Sequence, residues 1–362
     1  MVKDRTVFQK YRSERSGVLF LACTASRHSV SAVLYDSALS RRYARAVRFG
    51  VTLTQENALD VICDTALRAL RESGTPGNVI RKAGFAAPAD ITLALEDGLE
   101  PGCLFLSPEV ELVILPMISA ALGGDMAAVV ASALQAEGSF TVADVSGGFR
   151  AASFDGKRLF TAHAPLKGGL DGTALESGMP LELGAVDELN REPDGTLCYS
   201  VAGDGDSAGI SAAAAVNAVR IMLDCGALDS DGIMTDRDLF YIGEDFYVTQ
   251  QDVRAVQSDK AAFRAALELF GRRAGATSRF IASGEAFGSE QGARAMAGLG
   301  AVPAGIAGKY GWCRRPGEQG VIACLSDPMI LESLTALCSS AEDISAAIHE
   351  DFDDLYIKNL AF

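Results

Sequence analysis

The chain of 362 residues is long enough for two cores, since single domains hold about 100–200 residues. A formal net charge of −15 argues against a broad nucleic-acid surface, which needs clustered Lys and Arg. No run reaches the ~18–20 apolar residues of a membrane span, and the N-terminal MVKDRTVFQKYRSER lacks a signal peptide's apolar core. No membrane association and a cytoplasmic location are therefore expected. The eight cysteines are scattered without a CxxC pair, which points to reduced, mostly buried thiols rather than a disulfide frame, a zinc site or an iron–sulfur cluster.

Residues 1–16 mix basic and polar groups without an apolar period and read as a surface arm. Residues 17–50 carry three strands joined by short turns. TQENALDVICDTALRALRESG follows as a helix, with Thr54 as its cap and Gly74 and Pro76 as its stop. ADITLALEDG reads as a strand, and VELVILPMIS, nearly all apolar, as a strand buried on both faces. GGDMAAVVASALQAEG starts a helix with Asp125 in its first turn, where the helix dipole favours an acid.

The stretch from Ser139 to Gly172 repeats the plan of 17–50: strand, turn, strand, turn, strand, then a glycine loop. Asp144 ahead of Ser146, Gly147 and Gly148 gives an acid and a glycine bend, which lets backbone approach an anion. The same residues equally make a tight turn whose Asp bonds its own backbone. Further on come a hairpin in GAVDELNREPDGTLCYSVAGDGD, a helix in SAGISAAAAVNAVRIMLDCGALD, and a short hairpin feeding a long helix that begins near Thr249 and Asp252. SRFIASGEAFGSEQG is strand, glycine turn and helix start; then follow a helix around 290–308, a strand at KYGWCRR, a helix at 317–338 and an acidic C-terminal segment. His28, His163 and His349 have no ligand spacing, and Glu350, Asp351, Asp353 and Asp354 read as solvated charge.

Several phrases together resemble one family: VELVILPMISAALGGDMAAVVASAL, FTVADVSGGFRAASFDGKRL, HAPLKGGLDGTALESGMPLELGAVDEL, SAGISAAAAVNAVRIMLDCGALDSDGIM, YVTQQDVRAVQSDKAAFRAALELF, FIASGEAFG and DLYIKNLAF. The resemblance is to the C-terminal, ATPase-like domain of the reductive activators of corrinoid proteins, in the ASKHA superfamily of actin, Hsp70 and sugar kinases. It implies an α/β fold of two actin-like (ribonuclease H-like) lobes, with mixed sheets flanked by helices and a cleft between them. The lobes are expected at 17–138 and 139–345, with a C-terminal segment at 346–362. It also implies ATP and Mg²⁺ as cofactors and a corrinoid protein or corrinoid methyltransferase as partner, and it allows a homodimer. By the same resemblance Asp144 would orient the metal, and Ser146, Gly147 and Gly148 would approach the phosphates. Gly168 and Gly169 would line the ligand cleft, and Ser283 and Gly284 would border the adenosine.

The departures from the family pattern fall on the nucleotide contacts. The first phosphate loop, normally Asp-Ile-Gly-Thr-Thr, reads Ala22-Cys23-Thr24-Ala25-Ser26. In the second loop the later Glu of Asp-x-Gly-x-Asn/Gly-x-Glu is expected to have given way to apolar or small residues. Ser211-Ala212-Ala213 replaces Gly-Ser-Gly, Ser283-Gly284 replaces Gly-Gly, and Glu285 would repel a phosphate. The cysteine cluster of the family's N-terminal [2Fe–2S] domain is not in the sequence. Two readings follow. One is a partner-binding, ATPase-like component of a corrinoid-dependent methyltransferase system with a degenerate nucleotide site. The other is an active ATP-dependent activator that takes its electron from an external donor. The run from Thr249 to Lys260 offers a partner surface, or simply a capped helix with Arg254 and Lys260 in solvent.

Overall fold

The computed structural model describes residues 5–11, 17–181, 184–202, 206–235, 238–243, 246–345 and 351–362. His349 and Glu350, and the rest of 346–350, lie outside the described residues, as do parts of the N-terminal arm. The chain forms two compact units, Met1–Glu137 with Arg315–Ala341, and Gly138–Arg314 with Glu342–Phe362. The stretch expected to close the second lobe, Arg315–Ala341, therefore belongs to the first unit, and the C-terminal segment joins the second.

In the first unit the strands are β1 (Arg5–Lys10), β2 (Leu19–Ala25), β3 (Ser29–Asp36), β4 (Arg41–Phe49), β5 (Ile80–Ala86) and β6 (Glu111–Ile114). They form one mixed sheet in the order β1-β4-β3-β2-β5-β6, antiparallel through β2 and parallel from β2 to β6. The N-terminal arm is thus partly a strand, paired along β4 from Arg5 to Lys10. β6 is a four-residue edge strand with one buried residue, shorter and more exposed than its apolar run suggested.

Two helices follow the β2–β4 meander as α1 (Ala58–Ser73) and α2 (Ala89–Gly98), and α3 (Gly124–Leu134) completes the first pass. α1 starts one turn later than expected. The Thr54 carbonyl accepts from the amides of Asn57 and Ala58, while the Asn57 side chain folds back onto the Thr54 amide, so Thr54 is not the cap. Gly74, at φ 66°, closes it as predicted. ADITLALEDG is α2 rather than a strand: Ile91, Thr92 and Leu95 share one buried face, a helical spacing that overrides the β-branched content.

The returning segment forms α8 (Pro316–Ser326) and α9 (Pro328–Ser339), two helices where one was expected. Asp327 is extended and Pro328 has no amide to donate, so the helix restarts there, with Asp327 accepting from the Met329 amide. α8 meets α3 backbone to backbone, since a Cβ on Gly320 would lie 1.7 Å from the Ala128 carbonyl oxygen. It also lies on the sheet at Gly84, where a Cβ would come 2.7 Å from Val321. Ala83 and Phe85, on alternate sides of Gly84, join the other core with α1, so the two helices cover opposite faces. One acid is built into this packing. Glu318, 2% exposed, accepts from Arg42 Nε at 2.6 Å, Arg45 Nε at 3.1 Å and Ser31 Oγ at 3.4 Å.

The second unit opens with β7 (Phe140–Asp144), β8 (Phe149–Phe154) and β9 (Leu159–Ala164), the meander read from the sequence. β15 (Arg279–Ser283) runs parallel beside β7, and the two-residue β16 (Glu342–Asp343) runs parallel beside β9, giving the order β15-β7-β8-β9-β16. β10 (Ala185–Arg191) and β11 (Leu197–Val201) form the expected hairpin, joined by the short β12 (Gly209–Ile210). α4 (Ala212–Asp224), the hairpin β13 (Leu239–Tyr241) and β14 (Tyr247–Thr249), and the 25-residue α5 (Gln250–Ala274) follow.

α6 (Glu290–Gly298) and α7 (Ala304–Ala307) divide the helix expected around 290–308, and α10 (Phe352–Lys358) packs on α5. KYGWCRR is not a strand; Tyr310 makes only an isolated bridge to Phe280. Among the described residues no single helix is long and apolar enough to cross a membrane. Cys23, Cys63, Cys324 and Cys338 are buried free thiols, Cys103 and Cys313 are half-buried, and Cys198 and Cys225 are exposed.

Candidate functional site

Strand register assembles the centre of the site. Asp144, the last residue of β7, sits opposite Arg150 on the antiparallel β8 and beside Ser283 on the parallel β15. The turn between β7 and β8 depends on Gly147 and Gly148, at φ 72° and 144°, a region other residues rarely occupy. Asp144 is 6% exposed. Its Oδ1 accepts from the Ser146 amide at 2.9 Å and from the Arg150 guanidinium at 2.5 Å, and its Oδ2 accepts from Ser283 Oγ at 2.6 Å. Gly284, at φ 99°, brings the next turn down onto this one: a Cβ there would stand 2.6 Å from Val145 and 3.1 Å from the Ser146 amide. Asp144, Ser146, Ser283 and Gly284 therefore come together.

Arg150 was missed. It stands six residues after Asp144, where the family motif ends in Glu, so that position holds a cation and not the apolar or small residue expected. The signal was the hairpin register itself, which places the sixth residue after Asp144 directly across from it.

The loop that carries Gly168 and Gly169 is held by α5. Asp259 on α5 accepts from the amides of Lys167 at 2.7 Å, Gly169 at 2.7 Å and Leu170 at 3.4 Å, so the protein's own carboxylate fills the cup of loop amides. Burial pushes the Asp259 carboxyl up, and these three amides oppose that. A Cβ on Gly169 would lie 2.4 Å from the Ala255 carbonyl group, so this glycine lets the loop rest on the α5 backbone. The Leu170 carbonyl then accepts from the Ala286 amide, tying the loop to the turn after Gly284. In that turn Glu285 accepts from the Leu181 amide; burial raises its carboxyl, and Asp171 and Asp144 raise it further.

The start of α4 is closed as well. Ser211 caps it from its own side chain onto the Ala214 amide, and Ala212 and Ala213 are buried. α6 packs over them so closely that a Cβ on Gly292 would come 2.6 Å from the Ala213 methyl. In the first unit, Ala22 and Cys23 are buried inside β2, and burial holds the Cys23 thiol well above its ordinary range, so it is neither a nucleophile nor a ligand.

Mg²⁺ takes near-ideal octahedral oxygen ligands, and one or two free carboxylates usually anchor it. Among the described residues no three His, Cys, Asp or Glu side chains are grouped to hold a metal, and Asp144 already accepts from three donors, one of them a guanidinium. This donor set does not fit a divalent ion.

The run from Thr249 to Lys260 turns most of its polar groups inward. Thr249 and Asp252 form a reciprocal capping box, and Asp252 also accepts from the Glu176 amide. Gln250 holds the backbone of Gly232 and Met234, and Arg254 and Gln257 both donate to the Asp231 carbonyl. Lys260 is not in solvent. At 2% exposure it donates to the carbonyls of Asn359 and Ala361 after α10, and burial lowers its ammonium to about 8. Lys167, Gln251, Arg254, Ser258 and Tyr356 line a cleft of about 630 Å³ alongside this helix. Elsewhere His163 Nδ1 lies 2.9 Å from Ser345 Oγ, which donates to Asp343. The serine, not the histidine, is the middle member, so this is no catalytic relay.

A family model for the C-terminal domain of RACo, the ASKHA domain, matches residues 154–362. A solved reductive activator for corrinoid, iron-sulfur protein is 15% identical with a TM-score of 0.77, over 97% of this chain and 67% of that one. A ROK family transcriptional regulator, a homolog of the E. coli MLC protein, is 10% identical with a TM-score of 0.45, over 90% of this chain and 81% of that one. The ethanolamine utilization protein EutJ from Carboxydothermus hydrogenoformans is 11% identical with a TM-score of 0.44, over 87% and 91%. No curated protein matches. The family match spans more than half of the 362 residues, and the protein belongs to the family of C-terminal ASKHA domains of RACo.

Proposed function

We propose that the protein is a partner-binding, ATPase-like component of a corrinoid-dependent methyltransferase system whose nucleotide site is altered. The corrinoid link rests on the family and on the solved activator of a corrinoid, iron-sulfur protein. The altered site rests on one observation above all: the carboxylate that would orient Mg²⁺ is ion-paired with Arg150 at 2.5 Å. The Lys167, Gly169 and Leu170 amides taken by Asp259 support the same reading.

On this reading Ser146, Gly147, Gly148, Ser283 and Gly284 form a framework that retains the shape of a phosphate hairpin, while the α5 face with its cleft is offered to a corrinoid protein or corrinoid methyltransferase. The location is cytoplasmic. The second reading, an active ATP-dependent activator with an external electron donor, keeps Gly147 in its favour, since a Cβ there meets nothing within 4 Å and the turn is open.

Calorimetric titration of ATP with Mg²⁺, and phosphate release with and without a Co(II) corrinoid protein, separate the two. The altered-site reading expects no heat at millimolar nucleotide and no stimulated release, together with partner binding in a pull-down or by calorimetry. Tight binding with stimulated turnover establishes the enzyme instead.

A further inference from the structure

We infer that Arg150 supplies the β7–β8 hairpin with its own cation and thereby closes Asp144 to divalent metal. This deepens the altered-site reading above, but it involves no corrinoid partner and no nucleotide, so each can fail without the other.

A carboxylate offers about four lone-pair positions. Oδ1 of Asp144 accepts two donors, the Ser146 amide and the Arg150 guanidinium, and Oδ2 accepts the Ser283 hydroxyl. One position is left, on Oδ2, and it lies beside a fixed positive charge. The ion pair is enclosed as well, with the Arg150 and Asp144 side chains 14% and 8% exposed, so solvent screens it poorly. Register brings the partners together: Asp144 and Arg150 are paired residues of adjacent antiparallel strands, and Ser283 is paired with Asp144 on the other side. A metal on Oδ1 would have to displace the guanidinium from a buried partner, and one at the remaining Oδ2 position would sit beside it. Even with water-like screening, a divalent ion held about 6 Å from a guanidinium is disfavoured by about tenfold.

The test uses Mn²⁺ as the probe and the full chain, without nucleotide, followed by electron paramagnetic resonance. Wild type and Arg150→Lys, which keeps the charge, are expected to show no Mn²⁺ signal that Asp144→Asn removes. Arg150→Gln, which keeps a donor but not the charge, is expected to gain one site at least about tenfold tighter than any Asp144-dependent binding in the wild type, and the double variant with Asp144→Asn to lose it again. An Asp144-dependent site in the wild type, or no gain in folded Arg150→Gln, overturns the proposal. Should Arg150→Gln not fold, anomalous diffraction from wild-type crystals soaked in Mn²⁺ decides. A peak about 2.2 Å from the Asp144 carboxylate overturns the proposal, and its absence there supports it.

Discussion

Replacing Glu318 by Gln removes one charge from the first unit and leaves its shape almost unchanged. In the wild type burial pushes the Glu318 carboxyl up, but the guanidinium groups of Arg45, Arg42 and Arg315 outweigh this and hold it below its ordinary value of 4.5. Breaking a buried ion pair costs about 3–5 kcal/mol because the partner stays buried without its countercharge. Arg45 is 14% exposed and Arg42 32%, so water relieves part of that loss, and the lower end, about 3 kcal/mol, is expected. With a urea slope of about 1–3 kcal/mol per molar, the midpoint falls by about 1–3 M. Far-UV circular dichroism gives the midpoint, and hydrogen exchange of α8 localises the change.

The pH dependence gives a second reading of the same charge. A carboxyl whose folded value is depressed contributes stability above its unfolded value, and that contribution is lost as pH falls through the folded one. The gap between wild type and Glu318→Gln should therefore be full at pH 7 and narrow below about 4.5. A midpoint unchanged at pH 7, or a gap that ignores pH, refutes the assignment of Glu318 as a buried clamp.

Gly169→Ala forces a methyl to 2.4 Å from the Ala255 carbonyl group, which is backbone and cannot rotate away, so a loss of about 1–3 kcal/mol is expected in thermal unfolding. Asp259→Asn removes the charge that three amides share, and exchange at Lys167, Gly169 and Leu170 should quicken with a loss of about 1.5–3 kcal/mol. Lys260 is lowered from 10.5 to about 8, so between those values the unfolded chain binds the extra proton and stability rises with pH. The melting temperature of wild type relative to Lys260→Met should climb across that window, and a flat difference removes Lys260 as its source.

The meanders were legible because strand alternation and glycine turns are local, and the start of α5 because a capping box lies within four residues. α2 was misread because Ile91 and Thr92 favour strands in isolation, while the buried face they share with Leu95 is decided by distant packing. The α8–α9 break needed attention to Pro328 alone. Arg150 lay in plain sight, but its meaning depends on which residue faces it across the hairpin. Asp259 and Glu318 were harder still: their partners lie ninety or more and more than 270 residues away, at Lys167 and Gly169 and at Arg42 and Arg45, and no local pattern connects them.

The division of the first unit between Met1–Glu137 and Arg315–Ala341 sets the order in which the protein can mature on the ribosome. A nascent chain that has emerged as far as Glu137 carries the whole six-stranded sheet but not α8, so the sheet face at Gly84 and the guanidinium groups of Arg42 and Arg45 wait uncovered while 177 more residues, from Gly138 to Arg314, are made. At about 5–20 residues per second that wait lasts roughly ten to thirty seconds. Throughout it α8 is missing from the first half. Glu318 and the helix that carries it can pack onto Gly84, Arg42 and Arg45 only once the second unit's first 177 residues have been made.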